Sequence, residues 1–260
     1  MSPLVCCLFL LASVDAGHGG DASGPTPATA LTETLARIDA LHGRRDDGSA
    51  LKEERQLVDA TVARAGRDYG VLWRAARLYF WLSDDPSLSN DQRSSMGKIG
   101  WDLAERAIGV DPALAPAYYW AAVNMGSFAL GLGVVKALTM GMEGKFKGRL
   151  QRAGELAPTY QFGGVDVAWG RFYEKLPWPK RDRKKAEDHL RKAMTHANGY
   201  NLRARVFLAE TLAEDDRAAE AKRLLDEVAA APVGRYDAPE ERRAKALGVG
   251  LMPSVLRRLK

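Results

Sequence analysis

The sequence predicts an all-α fold in which pairs of antiparallel helices stack into an elongated array. Apolar residues recur at helical spacing, as in the stripe of Ala186, Leu190 and Ala193, and such a stripe can bury one face of a helix. The helical segments end at breaks spaced 46, 40 and 34 residues apart, and proline, which cannot continue a helix, marks three of them. The breaks are Pro112, Pro158, Asn198 and Pro232. This period predicts a tetratricopeptide-like solenoid, whose units bury their apolar faces only by stacking.

The helices follow from the stripes and the breaks between them. We expect the first helices of four successive pairs at residues 71–82, 115–130, 165–176 and 201–212. Their partners should occupy residues 89–109, 134–156, 183–196 and 217–230. A further pair, at residues 30–41 and 49–65, precedes them. The predicted helical-repeat domain covers residues 30–252 with a repeat core at 70–232, and residues 253–260 are expected to form a basic tail.

The N-terminal segment has the features of an export signal. The run at residues 4–14 is apolar but too short to span a bilayer, and residues 14–16 offer a small-residue cleavage site. We therefore expect a signal peptide at 1–16, a flexible tether at 17–29, and a periplasmic or secreted mature protein without cysteine, because Cys6 and Cys7 lie in the signal. A disordered apolar N-terminus and a misassigned start are the alternatives.

Composition and motifs argue against several classes of function. Hydrophobic residues make up 46% of the 260 residues and charged residues 27%, as in ordinary globular proteins. The basic clusters do not alternate with aromatic residues, so we expect no nucleic-acid partner. His189 and His196 are seven residues apart and are interpreted as surface residues, so neither a metal nor another cofactor is predicted. No set of nucleophile, base and orienting residue can be assembled, and we expect no enzymatic activity.

The segment at residues 163–178 raises the question of a binding site. Gly163 and Gly164 predict a sharp turn before a helix. The apolar face of that helix includes Trp169 and Tyr173, and Arg171 flanks this face. An aromatic wall with a few polar groups is typical of small-molecule sites, and arginine can grip a carboxylate with two hydrogen bonds. The hypothesis is a cleft for an organic acid or an apolar ligand, lined by Trp120, Asn124, Trp169, Arg171 and Tyr173.

A structural interpretation of the same residues remains open. Aromatic residues at helical spacing usually belong to the core of a repeat. Arg171 would then pair with a carboxylate such as Asp166 or Glu174.

Three stretches of the repeat core resemble a known family. They are YYWAAVNMG at 118–126, GGVDVAWGRFYEKLP at 163–177 and AEDHLRKA at 186–193. These stretches resemble the TatT family, the tetratricopeptide-like periplasmic T components of TRAP (tripartite ATP-independent periplasmic) transporters. The resemblance covers roughly residues 70–232. A weaker resemblance exists to the eukaryotic regulators of microtubule dynamics, which share a paired-helix core.

The TatT resemblance implies a non-enzymatic partner of an extracytoplasmic solute-binding protein, often oligomeric, with a ligand-sized cleft or pore. Members of that family are typically membrane-tethered lipoproteins. Here Cys7 follows Cys6 and comes too early for a lipobox, so a membrane anchor is not evident and a free form is favoured. We therefore expect an exported helical-repeat binding protein. The alternative is a purely structural adaptor whose concave face binds a peptide or a helix.

Overall fold

The computed structural model describes residues 27–259. The expected signal peptide at 1–16, with Cys6 and Cys7, lies outside the described residues, as does most of the expected tether at 17–29. The last three tether residues, 27–29, form the start of the first helix.

The described residues fold into α-helices, with no strand between residues 27 and 259. The helices are α1 Pro27–His42, α2 Gly48–Ala65, α3 Tyr69–Ser83, α4 Asn90–Val110, α5 Ala115–Leu132, α6 Val134–Thr139, α7 Met142–Leu156, α8 Tyr160–Lys175, α9 Arg183–His196, α10 Leu202–Glu214, α11 Ala218–Ala230 and α12 Ala238–Arg257. Consecutive helices pack against one another along the chain. The predicted all-α solenoid is confirmed.

Short polar residues set where many of these helices begin. Their side-chain oxygens accept hydrogen bonds from backbone N–H groups of the first turn, which have no partner inside the helix. Ser89 and Gln92 complete a reciprocal capping box at the start of α4. The other side-chain caps are Asp47, Asp68, Asp182, Asn201 and Asp237.

Two helical segments differ from the sequence prediction. The helix expected at 134–156 is divided into α6 and α7, because Gly141 adopts a φ of 72° that breaks the helical path. At the C-terminus, α12 continues through Pro253 to Arg257. Residues 253–257, which were expected to belong to a basic tail, therefore continue the last helix.

The apolar core runs through the array in two buried clusters. The larger cluster joins α1 to α8 and includes Leu72, Leu78, Met125 and Leu150. The smaller cluster joins α8 to α12 around Leu208. None of the described helices is both long and apolar enough to cross a membrane.

The C-terminal segment connects the two ends of the array. Although α12 packs on α10 and α11, residues at its start reach the N-terminal helices. Asp237 lies 2.7 Å from Arg45, which follows α1, and Arg243 donates to the carbonyl of Trp81 at 2.9 Å. Arg242 also pairs with Asp46. The concave side of the solenoid is therefore closed by the chain's own last helix.

Candidate functional site

The concave side holds a cavity of about 360 Å³ that is partly open to solvent. It is bounded by the first helices of the pairs, by α6 and α7 on one side, and by the segment leading into α12 on another. Its walls are mostly apolar and include Phe80, Trp81, Trp120, Val123, Phe172 and Phe207. A concave apolar site of this size suits a small organic molecule.

Most of the charged side chains that line the cavity have a partner of opposite charge, either in the lining or behind it. Among the described lining residues, six are arginine or lysine and four are aspartate or glutamate. Arg203 is buried between Asp84, at 2.8 Å, and Glu240. Burial favours a lower pKa for Arg203, but the two carboxylates outweigh it and raise that pKa. Arg243 also lies 3.5 Å from Asp84, so two guanidinium groups face two carboxylates and their charges balance in this part of the wall.

Arg77 and Arg45 line the end of the cavity formed by the N-terminal helices. Arg77 shares the carboxylate of Asp39 with Arg74, each at 2.7 Å, and burial lowers the pKa of Arg77. The guanidinium of Arg45 lies 4.4 Å from the centre of the Trp81 ring.

Three cavity-lining residues have a buried polar atom whose hydrogen has no acceptor within residues 27–259. The atoms are Arg45 Nε, Arg77 Nε and Tyr236 Oη. Each of these atoms carries a hydrogen that it can donate. Buried donors without an acceptor are rare in native proteins and call for an explanation at each position.

Beside the two arginines, His42 and Glu54 form a buried pair, with His42 Nδ1 2.8 Å from Glu54 Oε1. Burial raises the pKa of Glu54 to about 7. Burial, together with the positive charges of Arg77 and Arg45, lowers the pKa of His42 well below its ordinary value. Both shifts favour the neutral forms of the pair.

Arg171, the arginine of the hypothesised cleft, does line the cavity. Its guanidinium pairs with Glu210 of α10 and lies 4.3 Å from the centre of the Phe207 ring. Lys175 binds the other oxygen of Glu210 at 2.7 Å. Burial favours a higher pKa for Glu210, but the two cations outweigh it and lower that pKa. The partner of Arg171 is thus Glu210 rather than Asp166 or Glu174.

The side chains of Trp120 and Asn124 lie in different surroundings, although the two residues are one turn apart on α5. Trp120 lines the cavity, and its indole N–H donates to the hydroxyl of Tyr160 at 3.1 Å. Asn124 is fully buried between α3, α4 and α5, where its amide donates to the carbonyls of Ala76 and Trp120. Asn124 therefore holds helices together, and the structure separates it from the cleft.

Trp169 and Tyr173 lie on the side of α8 that faces α9. Their rings stack on each other and on His189, with ring centres 5.8 to 5.9 Å apart. Both are half-buried, and they lie behind the cavity wall formed by Phe172. Of the five hypothesised site residues, the structure brings only Trp120 and Arg171 to the cavity.

The histidines of α9 are not simple surface residues. His189 Nδ1 and His196 Nε2 lie 2.8 and 3.3 Å from the carboxylate of Asp166, which is buried, and Lys192 lies 3.2 Å from it. Burial raises the pKa of Asp166, but the hydrogen bonds from His189 and Lys192 outweigh that effect and lower it. Within the described residues, no group of three or more histidine, cysteine, aspartate or glutamate side chains is arranged to hold a metal ion.

A left-handed turn stands where the cavity meets the start of α8. Gln161, Phe162 and Gly163 have φ values of 52°, 54° and 83°, and the first two line the cavity. The predicted turn therefore begins two residues earlier than the glycine pair. A Cβ on Gly163 would lie 2.7 Å from the carbonyl oxygen of Ala193 in α9, and a Cβ on Gly164 would lie 2.7 Å from the hydroxyl oxygen of Tyr119 in α5. The glycine pair therefore permits a close approach to an earlier helix as well as to the following one.

Sequence reasoning missed the arginine end of the cavity. Arg77 lies among Trp73, Phe80 and Trp81, the same pattern of an arginine amid aromatic residues that drew attention to Arg171. That local signal was sufficient to nominate Arg77. Arg45 and Tyr236 line the cavity because α12 closes the array, and no local sequence pattern predicts that closure.

Comparison with known proteins gives a family and a fold. The family model described as "Regulator of microtubule dynamics protein 1-3" matches residues 34–163. No curated protein matches the chain. Among solved structures, the chain is similar to a thermophilic TPR protein of Thermus thermophilus, with a TM-score of 0.63 and 15% identity over 86% of this chain and 98% of that chain. At that identity the likeness supports the tetratricopeptide-like fold alone.

Proposed function

The chain belongs to the regulator of microtubule dynamics protein 1-3 family, and from this premise and the cavity geometry we propose that it is a non-enzymatic binding protein that encloses a small ligand. The observation that carries the proposal is the cavity of about 360 Å³ between the repeat helices and the start of α12. An array that served only to present an outer surface would have no need of such a space.

The ligand class follows from the walls of the cavity. Burial of an apolar body against Trp81, Trp120 and Phe207 stabilises a complex by roughly 25 cal/mol for each Å² removed from water. Polar groups such as Arg171 at the margin fix the orientation of a bound molecule. The proposed ligand is an organic acid or an apolar molecule, the same two classes that the cleft hypothesis from the sequence named.

A thermal-shift panel tests the proposal. Linear fatty acids and the corresponding alcohols should raise the midpoint of unfolding in a concentration-dependent way, because a ligand that binds only the folded state stabilises it. Short dicarboxylates lack the apolar body and should have a smaller effect. A panel in which no compound with an apolar body raises the midpoint contradicts the proposal.

A second candidate function, a protein adaptor, is favoured by the outer face of α12. Val249 is 71% exposed and Leu256 is 41% exposed, which leaves apolar side chains on the last helix without cover from the described chain. Tetratricopeptide-like arrays present such faces to protein partners or to a second copy. Sedimentation velocity of the protein and of Val249→Glu tests self-association. The adaptor role predicts an oligomer, or a complex with an added partner, that the variant fails to form.

A more specific proposal concerns the identity of the protein partner. A role as the T component of a TRAP-type system, beside an extracytoplasmic solute-binding protein, is supported by the resemblance of residues 118–126 and 163–177 and by a solute-sized cavity. It requires export. N-terminal sequencing of the native protein should find a start near Gly17, and an intact Met1 would contradict it. Since the family description names microtubule dynamics, co-sedimentation with microtubules is the corresponding test of the other class of partner.

A further inference from the structure

We infer that the end of the cavity formed by Arg45 and Arg77 binds the carboxylate of a long-chain organic acid, with the apolar chain lying along the aromatic walls. This inference rests on the proposed function, because it gives an orientation and a chemical class to the ligand of the same cavity.

The first argument is the chemistry of the unpartnered atoms. The cavity lining contains three buried donors that have no acceptor among the described residues, namely Arg45 Nε, Arg77 Nε and Tyr236 Oη. A ligand that satisfies such atoms must bring acceptors. A carboxylate brings two oxygens with about four lone-pair sites and no donor, and it matches the planar fork of arginine.

The second argument is charge. Asp39 is the carboxylate shared by Arg74 and Arg77, so one carboxylate faces two guanidinium groups. Arg45 has its own partner in Asp237. A further carboxyl group, Glu54, is hydrogen-bonded to His42, and burial raises its pKa to about 7, so it is only partly ionised at neutral pH. Because two guanidinium groups share the one carboxylate of Asp39, the arginine end carries an excess of positive charge in a buried place, and this excess is largest below pH 7. An anion would compensate it.

The third argument separates this end from the other cationic group on the cavity wall. Arg171 and Lys175 also share one carboxylate, that of Glu210, but their side chains are 30% and 33% exposed. Water can solvate these two cations and screens any charge placed beside them. The side chains of Arg45 and Arg77 are only 5% and 12% exposed, so an anion beside them interacts in a medium of lower dielectric.

The chain offers a matched pair of variants for the test. Arg74 and Arg77 are one turn apart on α3, bind the same Asp39 carboxylate and both lie over the Trp73 ring. Arg77 lines the cavity, whereas Arg74 contacts Asp39 and the carbonyl of Gly70 outside it. Both Arg77→Met and Arg74→Met remove an ion pair with Asp39 and a contact with Trp73, and Arg74→Met removes the additional bond to Gly70 as well. Arg74→Met is therefore at least as disruptive to the fold, but only Arg77→Met removes a group from the cavity.

The experiment titrates the full chain and both variants with decanoate and with decan-1-ol, followed by tryptophan fluorescence. The two ligands share the apolar chain and differ in the head group. We expect the protein to bind decanoate at least about tenfold more tightly than decan-1-ol, because hydrogen bonds to charged groups are the stronger ones. Arg77→Met should lose most of that preference and still bind decan-1-ol, while Arg74→Met should keep the preference.

The possible results of this experiment distinguish a failure of the carboxylate site from a failure of the proposed function. Equal binding of the two ligands by the unmodified protein, an unchanged preference in Arg77→Met, or an equal loss in both variants overturns the carboxylate site while the ligand cavity stands. Binding of neither ligand contradicts the proposed function, and the carboxylate site with it. Circular dichroism of both variants checks that they fold, and Arg77→Lys, which keeps the charge, should retain part of the preference if Arg77→Met does not fold.

Discussion

Glu54 and His42 show how burial governs single residues in this protein. The pKa of Glu54 is raised by burial from its ordinary 4.5 to about 7, and that of His42 is lowered. Between pH 4.5 and 7 the folded state holds the Glu54 proton more tightly than the unfolded state, so this group makes the free energy of unfolding fall as pH rises. The lowered pKa of His42 has the opposite effect: below pH 6.5 it makes the free energy of unfolding rise with pH, because protonation of this imidazole favours unfolding.

Glu54→Gln separates these two opposing effects. The variant keeps a polar group beside His42 but cannot ionise. Relative to the unmodified protein, we expect it to gain about 3 kcal/mol in the free energy of unfolding between about pH 5 and pH 8, from about 1.4 kcal/mol per pKa unit. Urea unfolding at both pH values measures this change. A difference between the two proteins that does not vary with pH would show that Glu54 ionises normally in the fold.

Arg171 and Trp120 are the two hypothesised site residues that reach the cavity, and their substitution should have unequal effects on folding. Arg171→Ala leaves Glu210 paired with Lys175, and since the arginine is 30% exposed we expect a loss of less than about 1 kcal/mol. Trp120→Ala removes a buried indole and its hydrogen bond to Tyr160, with an expected loss of about 3–5 kcal/mol. Urea unfolding of the two variants compares these losses, and a larger loss for Arg171→Ala would contradict this assignment.

The left-handed turn within the first residues of α8 stores backbone strain. Gln161 and Phe162 adopt left-handed φ values that cost a residue with a Cβ about 1–2 kcal/mol. Gln161→Gly should therefore raise the free energy of unfolding by about 1 kcal/mol relative to Gln161→Ala, which loses the same side chain but keeps the Cβ. Thermal or urea unfolding of the two variants gives the comparison. Equal stability of the two would mean that the turn is not strained.

Most helices could be predicted from the sequence because their information is local. The stripes, the closing prolines and the capping residues lie within one or two turns of the helix they define. The division of α6 from α7 could not be predicted, since Gly144 stands in the same segment within a regular helix, and only the positive φ of Gly141 makes the break. In α12, Pro253 cannot donate the backbone hydrogen bond to the carbonyl of Val249, and because Val249 is exposed, water can bond that carbonyl instead.

The position of the candidate site depends on contacts that sequence spacing does not encode. Helical periodicity places Trp169 and Tyr173 on one face of α8, but it does not say which neighbour covers that face. In the structure α9 covers it through His189, and the cavity lies on the side of Phe172. Periodicity therefore identified the aromatic stripe, but it could not identify the helix that the stripe packs against.

At the scale of the whole molecule, ion pairs between distant segments close the array. Arg45 is 5% exposed and Asp237 is 23% exposed, so their pair is largely withdrawn from water. A double-mutant cycle with Arg45→Met and Asp237→Asn should give a coupling energy of about 1–3 kcal/mol. The exposed pair Arg37 and Glu53 serves as the control, with an expected coupling below about 0.5 kcal/mol. Equal coupling in the two cycles would argue that closure contributes little to stability.

If the cavity binds a ligand, a side chain that fills it should abolish binding. Gly126 lines the cavity, and a Cβ there would approach only Phe146, at 3.8 Å, so Gly126→Leu places a side chain in the empty space. Gly144 is also helical, and a Cβ there meets nothing within 4 Å, so Gly144→Leu is the matched control. Both variants should fold at least as well as the parent, because leucine favours helix over glycine by up to about 1 kcal/mol. The measurement is titration with decan-1-ol by tryptophan fluorescence. The account predicts that Gly126→Leu loses binding by about tenfold or more while Gly144→Leu binds like the parent, and equal binding by the two variants would contradict it.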